Sequence, residues 1–448
     1  MLHFLRERGL TGVKEGCAEG ECGACAVVLV SPEGEGSRFL TVNSCLVPAV
    51  GLAGREVITV HGLADGEELH PAQAAMVETG GSQCGYCTPG FVVSLFAEYY
   101  REGREPGEVW DESIGGNLCR CTGYRPIRDA LASLGAPADD RHKRRLAQVT
   151  EGPASFAHRC TIEDGSEVRF YRPASLEELF EILAGEPGAK IIAGGTDVYV
   201  EVNQLDRRWP VLVALDGIGE LQTIADADDA LTIGAGVSLS RVEDELGAAV
   251  PIFGELFPLF SSRLIRNRAT LGGNLINASP IGDSPPALLA LDAQVVLASG
   301  EGERTLPISE LFLDYRKTAL KAGEILKAVV IPKPFPTVQR FYKVSKRIMD
   351  DISTVAAGFG LWLDDAGTIT KARLGYGGVA ATPARATEAE KALVGRPLDA
   401  AAVVHASSFL GTAFTPMTDH RGSAHYREAM VPRLLEKLHA ELTPEAAE

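Results

Sequence analysis

The stretch "KEGCAEGECGACAVVLV", Lys14 to Val30, sets three thiols within nine residues of a glycine-rich loop and follows them with small aliphatic residues. Cys17, Cys22 and Cys25 are spaced C-x4-C-x2-C, and Cys45 follows after a predicted strand and turn. Gly16, Gly20 and Gly23 carry no side chains, so the backbone there approaches a bound group closely and turns its amides inward. "CAVVLVS" then reads as the strand that anchors the loop. What the loop grips depends on the remaining cysteines.

There are nine: Cys17, Cys22, Cys25, Cys45, Cys84, Cys87, Cys119, Cys121 and Cys160, eight of them in the first 121 residues. The first residues, "MLHFLRERGL", are amphipathic and charged by the sixth position, which is not a secretory signal. Without one, disulfides are disfavoured because cytosolic thiols stay reduced. Clustered cysteines in that setting point to metal or redox chemistry. C-x4-C-x2-C with a later fourth thiol is the spacing of plant-type [2Fe–2S] ferredoxins, whose compact, net-negative cluster needs hydrogen-bond donors around its sulfurs. Zinc knuckles favour paired C-x2-C units instead.

A chain of 448 residues has room for two to four domains. Apolar content is 45% and mean hydropathy +0.04, ordinary for a globular chain, with no apolar run long enough to span a bilayer. A net charge of −17 argues against a phosphate-facing basic surface. Neither nucleic acid nor membrane is therefore expected as a partner, and the expected location is cytoplasmic. The nearest basic run, "RHKRR" (Arg141 to Arg145), reads as solvated linker or as a contact for an acidic partner.

Composition divides the chain. Residues 1–135 hold the clustered cysteines, and 136–165 mix Pro, Ala and both charges without periodicity, as a linker does. From 166 onward, short β-like runs alternate with helical patterns. Within the cysteine region, strand-like pieces such as "EVITVHGL" give way beyond His70 to helical ones. "HPAQAAMVETG", "TPGFVVSLFAEYYREG" (Thr88 as N-cap, Pro89 first in the helix, Gly103 ending it) and "YRPIRDALASLG" suggest a bundle of about four helices.

Cys84 and Cys87 in "GSQCGYCTPG" and Cys119 and Cys121 in "GGNLCRCTGY" each precede a predicted helix start, where dipole and free amides favour negative charge. Two such pairs alone suit zinc about as well as iron. The C-x-C spacing is tight for tetrahedral zinc, and the ferredoxin-like loop upstream favours a second [2Fe–2S] centre. Further on, "KIIAGGTDVYV" (Lys190 to Val200) and "RATLGGNLINASPIGDSPP" (Arg268 to Pro286) each carry a Gly-Gly turn beside hydroxyl and amide side chains, suited to a pyrophosphate. Neither is G-x-G-x-x-G, so a Rossmann site is not indicated.

"EGCAEGECGAC", "QCGYCTPG" and "GNLCRCTGY" resemble the iron–sulfur motifs of the xanthine oxidase family of molybdenum hydroxylases, in the same order. The two Gly-Gly stretches resemble that family's FAD-binding domain, and "YGGVAATPARA" and "SAHYREAM" its small C-terminal subdomain. The resemblance implies a multidomain α+β fold. Its parts would be a β-grasp, plant-type ferredoxin domain over 1–62, a four-helix [2Fe–2S] bundle over 63–135, and the linker of 136–165. An α+β FAD-binding domain of the vanillyl-alcohol oxidase type would span 166–335 and its subdomain 336–448. In the family a two-stranded hairpin precedes the helix that "LHFLRERGL" resembles, so the first sheet is expected to lack strands and to expose an edge.

By the same resemblance, Cys17, Cys22, Cys25, Cys45, Cys84, Cys87, Cys119 and Cys121 hold two clusters. Lys190, Ile191, Ile192, Ala193, Gly194, Gly195, Thr196 and Asp197 would line the FAD pyrophosphate from one side. Thr270, Gly273, Asn274 and Ile276 would line it from the other, with Asp283 near the ribityl or phosphate region and Phe260 near the isoalloxazine. Leu326 and Lys343 align more loosely, and Lys343 reads equally as a surface cation. Gln83 would approach molybdopterin on a partner, or is simply a polar loop residue. Cys160 reads as a lone thiol, and His61 and His70 as structural.

Two one-electron clusters beside a flavin form a relay, since flavin couples single-electron to two-electron chemistry. No pterin-binding region is recognisable, so the resemblance implies a separate molybdenum-binding large subunit, in an α2β2 assembly. There a purine would be hydroxylated with water, and electrons would pass through both clusters to FAD and on to NAD+. No residue here would be a general acid or base. The alternatives are the same subunit serving an aldehyde or another N-heterocycle, or a zinc-binding scaffold module.

Overall fold

The computed structural model describes residues 1–149, 152–161 and 165–443. The chain forms two compact units: Met1–Ala174, Gly188–Gly217 and Ser261–Ala269 in the first, and Ser175–Pro187, Ile218–Phe260 and Thr270–Glu448 in the second.

In the first unit, helix α1 (Leu2–Glu7) leads into the cysteine loop and strand β1 (Ala26–Glu33). β1 is the middle strand of a three-stranded antiparallel sheet, with β2 (Gly36–Asn43) on one side and β3 (Glu56–Ile58) on the other. Its continuous apolar run has a physical reason: both faces are covered. Val27 and Leu29 pack with Leu2, Leu5, Val42 and Leu46, while Ala26 and Val28 face a second core built around Phe91 and Phe96.

That second core belongs to the helices. α2 (Pro71–Glu78) is capped by His70, whose ring accepts from Ala72 N while Gln73 accepts from the His70 amide. α3 (Thr88–Tyr99) and α4 (Arg125–Ser133) follow. α3 starts one residue earlier than expected, with Cys87 at the N-cap and Pro89 inside the first turn. The fourth helix, α5 (Arg141–Leu146), lies in the stretch expected to be linker. Asp140 caps it by accepting from His142 N and Lys143 N at 2.9 and 2.8 Å. "RHKRR" is therefore helical rather than an unstructured linker. His142 is buried, Arg145 pairs with Glu56 at 2.7 Å, and Arg141 donates to the carbonyls of Gly62 and Ala64.

The same unit holds a four-stranded sheet ordered β4-β5-β7-β6, from β4 (Phe156–Thr161), β5 (Glu167–Arg172), β6 (Lys190–Ile192) and β7 (Val211–Ala214). β7 runs parallel to both of its neighbours. Between β6 and β7 the chain forms the helix Val198–Gln204.

The second unit contains a five-stranded antiparallel sheet and a smaller C-terminal layer. The first is built from β8 (Ile224–Asp226), β9 (Ala230–Gly234), β10 (Gln294–Ser299), β11 (Gly302–Pro307) and β14 (Ile325–Pro332), in the order β11-β10-β14-β9-β8. A hairpin of β12 (Phe312–Asp314) and β13 (Lys317–Thr318) sits between the last two in sequence. The C-terminal sheet runs β15 (Val338–Val344), β16 (Val355–Leu363), β17 (Ile369–Gly377) and β18 (Ala384–Arg385). The helices Thr387–Leu393, Ala400–Leu410 and Ala424–Leu442 close over a core that includes Phe359, Tyr376 and Leu435. The contiguous segment 166–335 thus contributes to both units, because the chain leaves the β5 sheet after Ala174 and re-enters at Gly188. No helix among the described residues is long and apolar enough to cross a membrane.

Candidate iron–sulfur and flavin sites

The loop between α1 and β1 brings its thiols together in pairs. Cys25 Sγ lies 3.3 Å from Cys45 Sγ, and Cys17 and Cys22 share a hydrogen bond. That shared bond holds the Cys17 thiol down at about 5 and pushes Cys22 up; the Cys25–Cys45 bond likewise lowers Cys25 and raises Cys45. Backbone amides face the sulfurs: Cys17 N donates to Cys22 Sγ and Glu19 N to Cys17 Sγ, each at 3.4 Å. Among the described residues, no three His, Cys, Asp or Glu side chains converge on a single ion position. Two pairs of thiols fit two irons with two thiolates each.

The second set repeats the pairing. Cys84 shares a hydrogen bond with Cys121, and Cys87 with Cys119. Burial, and then the bond to Cys119, push the Cys87 thiol up to about 12. Thr122 Oγ1 sits 3.2 Å from Cys119 Sγ. Cys84 and Cys121 are exposed, as is Gln83 beside them, while Cys87 and Cys119 are half-buried. Cys160 is exposed on β4, His61 is exposed, and His70 is the buried cap described above.

The two loops are locked to one another. Leu118 N donates to Cys22 O at 3.0 Å, so a cysteine of the first set lies one hydrogen bond and one residue from Cys119. Asn117, fully buried, donates to Gly23 O at 3.2 Å and accepts from Ser94 Oγ at 2.7 Å. Lys14 Nζ donates to Gly85 O at 2.8 Å, and Tyr86 OH donates to Glu15 O. At Gly23, φ is +64° and a Cβ would be driven into the Gly116 carbonyl and the Asn117 amide. Sequence reading missed Asn117, although it stands inside the quoted "GGNLCRC", because its partners come from distant parts of the chain.

The expected flavin residues fall into two groups, one in each unit. In the first, Lys190–Ile192 form β6, and Ala193, Gly194 and Gly195 make the turn into Thr196 and Asp197, the N-cap of the helix Val198–Gln204. Gly194 cannot be larger, because a Cβ there would overlap the Arg268 carbonyl. Arg268 in turn donates to Gly194 O at 3.3 Å and faces Asp216, which also pairs with Arg55 at 2.7 Å. Arg268 and Asp216 were not expected from sequence, since nothing local marks a buried arginine as a brace for a loop far upstream.

In the second unit, Thr270 caps the helix Leu271–Ile276 by accepting from Gly273 N at 3.0 Å. The Asn274 Oδ1 is buried without a hydrogen-bond partner among the described residues, as is Ser284 Oγ. Unpartnered buried acceptors and hydroxyls of this kind fit a polar ligand. Asp283 accepts from Lys343 Nζ at 2.8 Å and Ser353 Oγ at 2.5 Å, and Lys343 also donates to Leu259 O at 2.8 Å. With its side chain 2% exposed, Lys343 is not a surface cation. Leu326 is buried on β14, Ile276 ends the helix begun at Leu271, and the Phe260 ring lies 6.4 Å from that of Phe257.

Four family models match in succession. A 2Fe-2S iron-sulfur cluster binding domain matches residues 1–50 and a [2Fe-2S] binding domain 59–132. The FAD binding domain in molybdopterin dehydrogenase matches 166–334, and the CO dehydrogenase flavoprotein C-terminal domain 340–442. The chain is 33% identical over 456 residues to the xanthine dehydrogenase of Emericella nidulans, covering 88% of this chain and 34% of that protein. It is 32% identical over 472 residues to xanthine dehydrogenase 2 of Arabidopsis thaliana, covering 88% and 35%. The chain thus spans about a third of the length of these curated relatives. Among solved structures, a chain of the reconstituted CO dehydrogenase from Oligotropha carboxidovorans matches with a TM-score of 0.56 and 32% identity, over 59% of this chain and 94% of that one. Quinoline 2-oxidoreductase from Pseudomonas putida 86 matches with a TM-score of 0.56 and 28% identity, over 62% and 97%. Paired thiols on two interlocked loops, carried in that order ahead of a flavin-type domain, place the chain in the xanthine oxidase family of molybdenum hydroxylases, as its iron–sulfur and FAD electron-transfer module.

Proposed function

We propose that the chain is the electron-transfer subunit of a xanthine dehydrogenase. Hypoxanthine or xanthine is hydroxylated on a molybdenum-binding large subunit, in a cytoplasmic α2β2 assembly, and NAD+ is the final acceptor. The observation that carries the electron-transfer part is the Leu118 N–Cys22 O bond, which ties the two thiol sets into one continuous path. The purine part is supported by identity to xanthine dehydrogenases across most of the chain.

When bound, two [2Fe–2S] clusters supply one-electron steps and FAD joins them to two-electron hydride chemistry. Cys17, Cys22, Cys25 and Cys45 hold the first cluster; Cys84, Cys87, Cys119 and Cys121 hold the second. Cys84, Cys121 and Gln83 are exposed, which leaves that edge open to the partner's molybdopterin. Lys190 to Asp197 in the first unit, and Thr270, Gly273, Asn274 and Ile276 in the second, are assigned to the FAD pyrophosphate, with Asp283, Phe260, Leu326 and Lys343 assigned to the rest of the flavin. The buried Lys343–Asp283–Ser353 set orients without exchanging protons with substrate, because the hydroxylation occurs on the partner.

A second reading, the same subunit serving an aldehyde or another N-heterocycle, is favoured by the likeness to quinoline 2-oxidoreductase. One experiment separates them. The native complex is co-purified, its iron and molybdenum are measured, and hypoxanthine, xanthine, quinoline and an aldehyde are each tested with NAD+. Purine-dependent NADH formation is expected. Oxidation of quinoline or aldehyde alone gives the second reading, and a colourless protein with stoichiometric zinc removes both.

A further inference from the structure

We propose that Asn203, assisted by Gln204, sets the reduction potential of the first iron–sulfur site by fixing the loop around the Ala18–Glu19 peptide, whose amide faces Cys17 Sγ, an inference that rests on the cluster assignment above. Both residues lie at the end of the helix Val198–Gln204, which begins at the Gly194–Gly195 turn. Asn203 Nδ2 donates to Ala18 O at 2.8 Å and to Cys45 O at 2.9 Å, and Gln204 Nε2 donates to Cys17 O at 2.8 Å. Three carbonyls of the first thiol set, two of them from ligand cysteines, are thus held by two side chains more than 150 positions away.

The consequence follows from peptide geometry. In a planar trans peptide the C=O and N–H point in opposite directions, so fixing one aims the other. Asn203 holds the Ala18 carbonyl, and the N–H of the same peptide, that of Glu19, points at Cys17 Sγ, 3.4 Å away. Ala18 adopts φ +56°, a left-handed conformation unfavourable to a non-glycine residue. The Asn203 bond is what opposes its relaxation. An amide donating to a thiolate ligand stabilises the more negative, reduced state, so it raises the potential of the centre. Asn203 touches no thiol itself. It is a positioning residue, acting through the Ala18–Glu19 peptide. Placed on the helix that leaves the turn of Lys190 to Asp197, it also joins that loop to the first thiol set within one compact unit.

The test is an EPR-monitored redox titration of the holoenzyme carrying N203A or Q204A, with the second cluster as internal reference. In N203A the reduced-to-oxidised ratio of the first cluster at a fixed potential should fall about tenfold, which for a one-electron couple is 59 mV. Q204A should move it in the same direction by less, and the second cluster should not move. Should N203A lose iron from the first site alone, the holding role stands and Q204A decides: a lowered potential upholds the inference and an unchanged one overturns it. Unchanged first-cluster potentials in both variants, or equal shifts of both clusters, also overturn it. A wild-type protein with no cluster signals at all would instead sink the cluster assignment.

Discussion

At the scale of single residues, a thiol here is defined by the partner it meets, and partners do not follow order in the sequence. Spacing marks eight cysteines as candidate ligands, yet only the fold shows that Cys84 meets Cys121 and Cys87 meets Cys119 across two loops. Replacing Cys119 therefore leaves the first set intact. In C119A, iron should fall by about two per chain, with the second cluster's EPR signal lost and the first retained. Gly23 is a different kind of constraint. Its left-handed φ and the close Gly116 carbonyl leave no space for a methyl. Gly23→Ala should cost about 1–3 kcal/mol by overpacking and strain, read as a lowered urea midpoint. It should also separate Leu118 N from Cys22 O, slowing electron exchange between the clusters more than it alters either cluster's own spectrum.

At the scale of elements, α5 shows why a helix can hide in a linker-like composition. Its five charged or polar residues dominate any reading of hydropathy, and the two cues that matter are Asp140 before the run and His142 within it. Asp140 is a legible cap; that His142 turns inward to meet Phe39, Phe96, His70 and Tyr100 is not, because those rings arrive from three other elements. The starts of α2 and α3 and the end of α2 were legible to within a residue for the opposite reason, since Pro and Gly fix them locally, whereas α3 stops at Tyr99, short of the expected Gly103. The same packing gives a pH prediction. Burial, then the neighbouring His142, holds the His70 ring down to about 4 from 6.5, with Arg141 acting in the same direction and Asp140 against it. Its Nε2 lies 2.9 Å from Tyr100 OH. The unfolded chain binds a proton on this ring near 6.5, while the folded chain resists until about 4. Stability is therefore fully present above 6.5 and falls with pH between 6.5 and 4, by about 2–3 kcal/mol. Glu98 runs the other way, because burial raises its carboxyl to about 7 and stability from it falls as pH rises. The comparison with H70N isolates the ring: asparagine keeps an N-cap acceptor, and the difference in urea midpoint between wild type and H70N should narrow steadily as pH falls from 7 to 4.5.

At the scale of the whole molecule, the linear order of family domains and the compact units do not coincide. The flavin-type segment is contiguous in sequence, and its motifs were legible there as two Gly-Gly stretches. Its first strands nevertheless fold into the unit that carries the cysteines, because β5, β6 and β7 pair with each other across a chain that departs at Ala174 and returns at Gly188. Hydropathy along the chain carries no record of such a crossing. One consequence is an asymmetric stability. All nine cysteines lie in the first unit, so any group they bind stabilises that unit and leaves the second without direct benefit. Anaerobic extraction of iron with a chelator should therefore lower only one of two calorimetric transitions, by roughly 2–4 °C for each kcal/mol of lost binding in a body of this size. The transition of the C-terminal sheet and its helices should stay within about 1 °C, since their core of Phe359, Tyr376 and Leu435 contains no thiol. A single transition that moves as a whole on iron removal would mean that the two units unfold as one cooperative body, and that the clusters support the flavin-type half as strongly as their own.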